Sequence, residues 1–232
     1  EGIEVNGIEK DSSYETGRAY IYLKRDGEST ISIFPGANNK LSPEDIEKNQ
    51  NLFKNCSYCL ISTEIPEPCI KKVIEIAKIN NSKIILKPSS RKEVSNEILK
   101  EVEILVLNKT EFKLLSKNKK NIDEGGQYFL KNGVKNIIIT SIKDGYTFIN
   151  EEKIKKFSPI NFPSLDITGS SDIFIATLAS YLTKNFKLEN SIEIAIYAAA
   201  FSTLHQGPSN GLMDRTSLEA YIEKVNPDLL KI

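Results

Sequence analysis

No sign of charge predominates in this chain: 31 Lys and Arg stand against 31 Asp and Glu. With no net field to attract a polyanion, neither nucleic acid nor an anionic membrane is expected as a partner. Long apolar runs are missing too, none approaching the roughly 18 residues of a membrane-spanning helix. The front of the sequence does not read as a signal-peptide core. Histidine occurs once and cysteine three times. Cys56 and Cys59 have the CxxC spacing of zinc or redox sites, but no second pair completes four ligands. The expectation is buried thiols of a cytoplasmic protein. No GxGxxG follows any apolar strand, which weighs against a nicotinamide oxidoreductase, and no repeat or disordered tail is legible. The chain opens on Glu1 rather than methionine, so further sequence is expected upstream.

What is present suits a globular domain. A chain of 232 residues can bury a substantial core as one large domain or two small ones, and 40% hydrophobic with 27% charged residues is ordinary. Residues 17–34, GRAYIYLKRDGESTISIF, alternate apolar and polar around Asp26-Gly27, which predicts a hairpin, with Tyr20, Tyr22, Ile31 and Ile33 as an exposed apolar face. From Tyr58 the pattern becomes strand–helix: strands at 58–63, 83–88, 104–108 and 136–141, with helices at 66–79, 91–101, 109–117 and 122–132. Residues 146–150 and 153–157 make a second hairpin. Helices then follow at 169–184, 189–206 and 214–224. This alternation predicts an α/β three-layer sandwich around a mostly parallel sheet.

In such sheets ligands bind beyond the carboxyl ends of the strands. Glu64, Asn108, Thr140 and Asp166 are the polar residues expected at four such ends. The densest signal is LDITGSSDIFIATLASYL, 165–182, in which a strand end that looks buried runs through Gly169, Ser170 and Ser171 into an apolar helix. The first turn of that helix offers unpaired N–H groups and the positive end of the helix dipole, a cradle for phosphate or for charge developing in a transition state. Asp172 points a short carboxylate at the same spot. The plainer alternative makes Asp172 a helix-start residue that stabilises the dipole by about 0.5 kcal/mol.

These segments resemble the ribokinase family of carbohydrate kinases. DITGSSD (166–172) is similar to the family's DTxGAGD signature, NKTE (108–111) to its NxxE motif, and GVKNIIITSIKDG (133–145) to its GVxxVxxTxGxxG segment. Residues 16–47 resemble the lid and the following GANxxL segment, and HQGPSNG (205–211) the C-terminal stretch. The family's first segment, with its glycine-rich GGxxxN, has no counterpart here. The resemblance implies a kinase domain over 1–15 and 35–232, with 16–34 as part of a β lid that pairs two subunits into a homodimer. It implies ATP-dependent phosphorylation of a sugar hydroxyl, most simply ribose to ribose 5-phosphate, with Asp172 as the base and the amides of Gly169, Ser170 and Ser171 as the anion hole. Glu64 then contacts the sugar, and Asn108 and Glu111 organise Mg²⁺ and phosphate, through water. Thr140 and Gly145 contact the nucleotide, with Ser171 and Ile196 on the same side. A monovalent cation, K⁺, is implied at Asp166 and Thr168, with further ligands near Ser202, His205, Gly207 and Gly211. Four places depart from the family: Ser171 replaces a glycine, Ile142 replaces a glycine after Thr140, Ile196 replaces an asparagine near adenine, and KPSS (87–90) replaces an NPAP-type turn. Those departures keep two alternatives open, a nucleotide- or sugar-binding relative without turnover and a nucleoside or other sugar kinase of the same family.

Overall fold

The computed structural model describes residues 2–23, 29–89, 93–119 and 121–231. The chain forms two compact units, Glu1–Glu103 and Ile104–Ile232, with the division falling inside one strand.

In the first unit, β1 (Arg18–Leu23) and β2 (Ser29–Phe34) pair antiparallel as expected; the Asp-Gly turn lies outside the described residues. The register corrects the grouping of its apolar residues. Ile21 stands opposite Ile31 and Ala19 opposite Ile33, whereas Tyr20 stands opposite Ser32. Because side chains alternate between faces with period two, Ile21, Ile31 and Ile33 share one face and the tyrosines lie on the other. All of these side chains are exposed. A short helix not legible in the sequence, α1 (Pro43–Lys48), follows, closed by a reciprocal capping box between Ser42 and Asp45. Next come β3 (Tyr58–Ser62), α2 (Glu67–Ile79) and β4 (Lys83–Lys87), a parallel β–α–β unit. Cys69, Ile70, Val73, Ile74 and Ala77 recur at helical spacing and form the buried stripe of α2. The next helix is shorter than its pattern suggests: α3 is only Asn96–Leu99, beginning after Ser95 in extended backbone, and residues 90–92 lie outside the described set.

In the second unit, β5 (Val102–Asn108) and β6 (Asn136–Thr140) pair parallel, joined through α4 (Lys109–Leu115) and α5 (Ile122–Lys131). β7 (Tyr146–Ile149) and β8 (Ile154–Phe157) continue antiparallel. The run Ile104–Leu107 and Ile137–Ile139 is almost wholly buried, which explains its unbroken hydrophobic spelling. α6 (Ser170–Thr183), α7 (Leu188–Ser202) and α8 (Arg215–Val225) complete the unit. Tyr181, Phe186, Ile194, Ala198, Leu218 and Ile222 pack into one apolar cluster between them.

α7 stops four residues before its expected end. The hydroxyls of Ser202 and Thr203 bond back to the carbonyls of Ala199 and Ala200. The Thr203 carbonyl accepts the amides of Leu165 (2.7 Å) and Asp166 (3.3 Å) instead of continuing the helix. The same bonds correct the reading of 165–168 as a buried strand end. Leu165 and Ile167 are 74% and 59% exposed, and the segment is a loop tied to the end of α7 rather than to a neighbouring strand.

Candidate active site

The second unit gathers three motif segments. The first is the start of α6. Gly169 adopts φ +80°, a left-handed conformation open to glycine at little cost, and a Cβ there would stand 2.9 Å from Cβ of Pro208. This turn swings the chain into the helix. The Ser170 amide and hydroxyl both donate to the Ile167 carbonyl, at 3.2 and 2.8 Å. The Asp172 amide donates to the Gly169 carbonyl at 3.0 Å. Among the described residues the amides of Gly169 and Ser171 have no such partner and remain available to a ligand. Ser171 sits in α6 without positive φ, so its departure from glycine introduces no backbone strain. Asp172 is exposed in the first turn and lines an open cavity of about 430 Å³ with Ile173, Thr177, Pro208, Met213 and Arg215. Asp172 is therefore open to solvent and not committed to the core.

Asp166 lies on the approach to this turn. One of its oxygens accepts the Thr168 amide at 2.9 Å and the other the Gly207 amide at 3.0 Å. Hydrogen bonds from Thr168 and then Gly207 hold its carboxyl below the usual aspartate range. Asp166 thus staples the 205–211 loop to the loop that precedes α6. Gly211 is buried against the Ser202 backbone, where any Cβ would collide with the Ser202 carbonyl. Asp166, Thr168, Gly207, Ser202 and Gly211 are brought together in this way, while His205 is an exposed loop residue. Donor groups of this kind, carboxylate and carbonyl oxygens, suit a hard cation and not a thiolate-seeking soft metal.

The third segment lies at the carboxyl ends of β5 and β6, where Asn108 pairs in register with Thr140. Asn108 and Glu111 form a reciprocal box: each backbone N–H donates to the other's side chain at 2.8 Å. The box caps the start of α4. The box leaves Glu111 engaged and oriented. Among the described residues no cluster of three His, Cys, Asp or Glu could hold a metal. The Glu111 carboxylate, fixed by the Asn108 amide, suits a cation such as Mg²⁺ that keeps its waters and takes only one or two protein carboxylates. Thr140 is buried, its hydroxyl donating to the Leu107 carbonyl at 3.3 Å. Gly145, at φ +84°, passes so close to the Phe157 carbonyl that no side chain could be accommodated.

Ile196 is 2% exposed in the interior of α7 and presents no surface to a ligand. Glu64, exposed just beyond β3, belongs to the first unit, its amide donating to the Ser62 hydroxyl at 3.3 Å. A contact that sequence reasoning missed joins two motifs: Lys109 Nζ lies 2.7 Å from the Asp144 carboxylate, 35 residues away. The cysteines are free; burial pushes the Cys59 thiol up to about 11, keeping it protonated at neutral pH.

Against known proteins, the model of the pfkB family of carbohydrate kinases matches residues 1–215. The ribokinase of Staphylococcus aureus (strain COL) is 30% identical over 210 residues, 88% of this chain and 69% of that protein. The chain belongs to the pfkB family. It is a carbohydrate kinase. A bifunctional ribokinase/ribose-5-phosphate isomerase A of Fructilactobacillus sanfranciscensis is 28% identical across 98% of this chain, which spans 43% of that protein. Among solved structures, the ribokinase of Thermotoga maritima superposes with a TM-score of 0.81 at 28% identity, covering 90% of this chain and 70% of that one. The Arabidopsis thaliana ribokinase complexed with ribose and ATP gives 0.78 at 26% identity, covering 94% of this chain and 70% of that one. The fold is the α/β three-layer sandwich expected of the family, with a mixed sheet.

Proposed function

We propose that this kinase transfers the γ-phosphoryl group of ATP to a hydroxyl of ribose, giving ribose 5-phosphate and ADP. The observation that carries the reading is the start of α6: a left-handed Gly169, two unpaired amides, and the exposed Asp172 on an open cavity. The names of the relatives, and the ribose and ATP bound to the Arabidopsis thaliana ribokinase, support ribose and ATP as the substrates.

In this mechanism Asp172 accepts the proton of the sugar hydroxyl as its oxygen bonds to the γ-phosphorus and the bond to the ADP oxygen breaks. The amides of Gly169 and Ser171 donate to the phosphoryl oxygens, while the bonds of Ser170 to Ile167 keep the turn rigid. Phosphoryl transfer needs chiefly alignment and charge neutralisation, which a fixed helix start provides. Glu64 serves as a sugar contact, and Thr140 and Gly145 shape the nucleotide side. Asn108 and Glu111 would hold, through water, a Mg²⁺ that would neutralise phosphate charge. Asp166, by accepting the Thr168 and Gly207 amides, fixes the loop that feeds the anion hole, and with Thr168 it would hold K⁺ as an added positive charge there. Two copies meet through the apolar lid face of Ile21, Ile31 and Ile33 in a cytoplasmic homodimer. An ADP-release assay with ribose and Mg²⁺ tests the chemistry. Asp172→Asn is expected to lose about 10²–10⁴-fold in turnover. Undiminished turnover in that variant would remove Asp172 as the base. Nucleotide and sugar binding with no turnover by the unaltered protein would favour the non-catalytic reading.

A further inference from the structure

One cation at the ends of β5 and β6 is ion-paired across them. Lys109 follows Asn108 directly and reaches over the strand ends to Asp144, at 2.7 Å, in the loop that leaves β6. Asp144 is itself anchored, since the Ser141 hydroxyl donates to the same carboxylate oxygen at 2.8 Å and accepts the Asp144 amide at 3.2 Å. The bond from Lys109, and then that from Ser141, hold the Asp144 carboxyl below its usual range, whereas the adjacent Lys143 acts on it only through its charge. Both partners are more than half exposed, so the pair contributes little to stability and screening weakens it further. An ion pair of small energetic value, placed between two site segments, needs a different account.

We propose that Lys109 is a nucleotide-phosphate-binding residue of this kinase and that Asp144 is the positioning residue that holds its ammonium over the ends of β5 and β6. The proposal rests on the nucleotide lying at that end. An ammonium has three donors; Asp144 takes one, leaving two for phosphate oxygens. The carboxylates of Glu111 and Asp144 at these strand ends repel a polyphosphate, and Lys109 offsets that repulsion as a point charge. Fixing a four-carbon side chain in advance removes part of the rotamer entropy that binding would otherwise cost. Asp144 is well suited to this task because Ser141 holds it rigid.

The test is equilibrium binding of Mg·ADP and of adenosine to the purified protein and its variants. Lys109→Met is expected to weaken Mg·ADP about tenfold and leave adenosine unchanged, since the lost contact is to phosphate. Lys109→Arg should retain most of the affinity, and Asp144→Asn should weaken Mg·ADP several-fold, with no further loss when added to Lys109→Met. Mg·ADP affinity in Lys109→Met within twofold of the unaltered protein would overturn the proposal, as would an equal loss for adenosine. Unaltered affinity in Asp144→Asn would overturn its positioning role. Failure of the unaltered protein to bind either ligand would refute the kinase reading beneath the proposal, whereas binding insensitive to Lys109 would refute this proposal alone.

Discussion

Replacing Gly169 tests the turn on which the site depends. At φ +80° an L-residue with a Cβ costs about 1–2 kcal/mol. The new methyl of Gly169→Ala would also stand 2.9 Å from Cβ of Pro208, against an optimum near 3.5–4.0 Å for two carbons. Pro208 lies on an exposed loop that can yield, so the overpacking cost falls toward the low end, about 1 kcal/mol. Reduced freedom of the unfolded chain returns about 0.4–1 kcal/mol. The net loss is about 2 kcal/mol, roughly 4–8 °C in melting temperature for a chain of this size. Gly169→Asn separates the two causes, because asparagine tolerates left-handed backbone but keeps the Cβ contact. It should recover part of the loss. Differential scanning calorimetry of both variants reads these shifts. A Gly169→Ala protein melting within 1–2 °C of the parent would refute the left-handed turn, and with it the aim of the α6 amides.

Two further outcomes concern the cation and the subunit contact. Replacing K⁺ by Li⁺ in the ADP-release assay should lower turnover, and Asp166→Asn should blunt that response; indifference to the cation in the unaltered protein would remove the proposed K⁺ site. Sedimentation velocity at micromolar concentration should show a dimer that Ile31→Lys converts to monomer by placing a charge on the apolar lid face, whereas a monomeric parent would dismiss the lid contact.

Much of the chain could be read directly because its signals are local. β5 and β6 are unbroken runs of Ile, Leu and Val, and α2 keeps its buried residues at helical spacing. Gly169 and Asp172 stand three residues apart in one turn, so the sequence alone juxtaposed them. What failed was non-local. Leu165 and Ile167 read as buried because they are apolar, but their segment bonds to Thr203 on another element and leaves both exposed. α7 kept helical composition past Ser202, yet a carbonyl needed by Leu165 and Asp166 ended it. The tyrosines of β1 were grouped with Ile31 and Ile33 because alternation within a strand is visible and register across a turn is not.

The sequence by itself determined the α/β alternation, the family, and the residues able to accept a proton or cradle an anion, because periodicity, glycine in a turn and a carboxylate in a first helical turn are short-range facts. Tertiary structure alone decided which distant groups are already engaged: Asp166 on Gly207, and Lys109 on Asp144. Those partners are as much as 41 residues apart. Each pair meets only because packing the strands and helices brings its two loops together, and no pattern along the chain encodes that meeting.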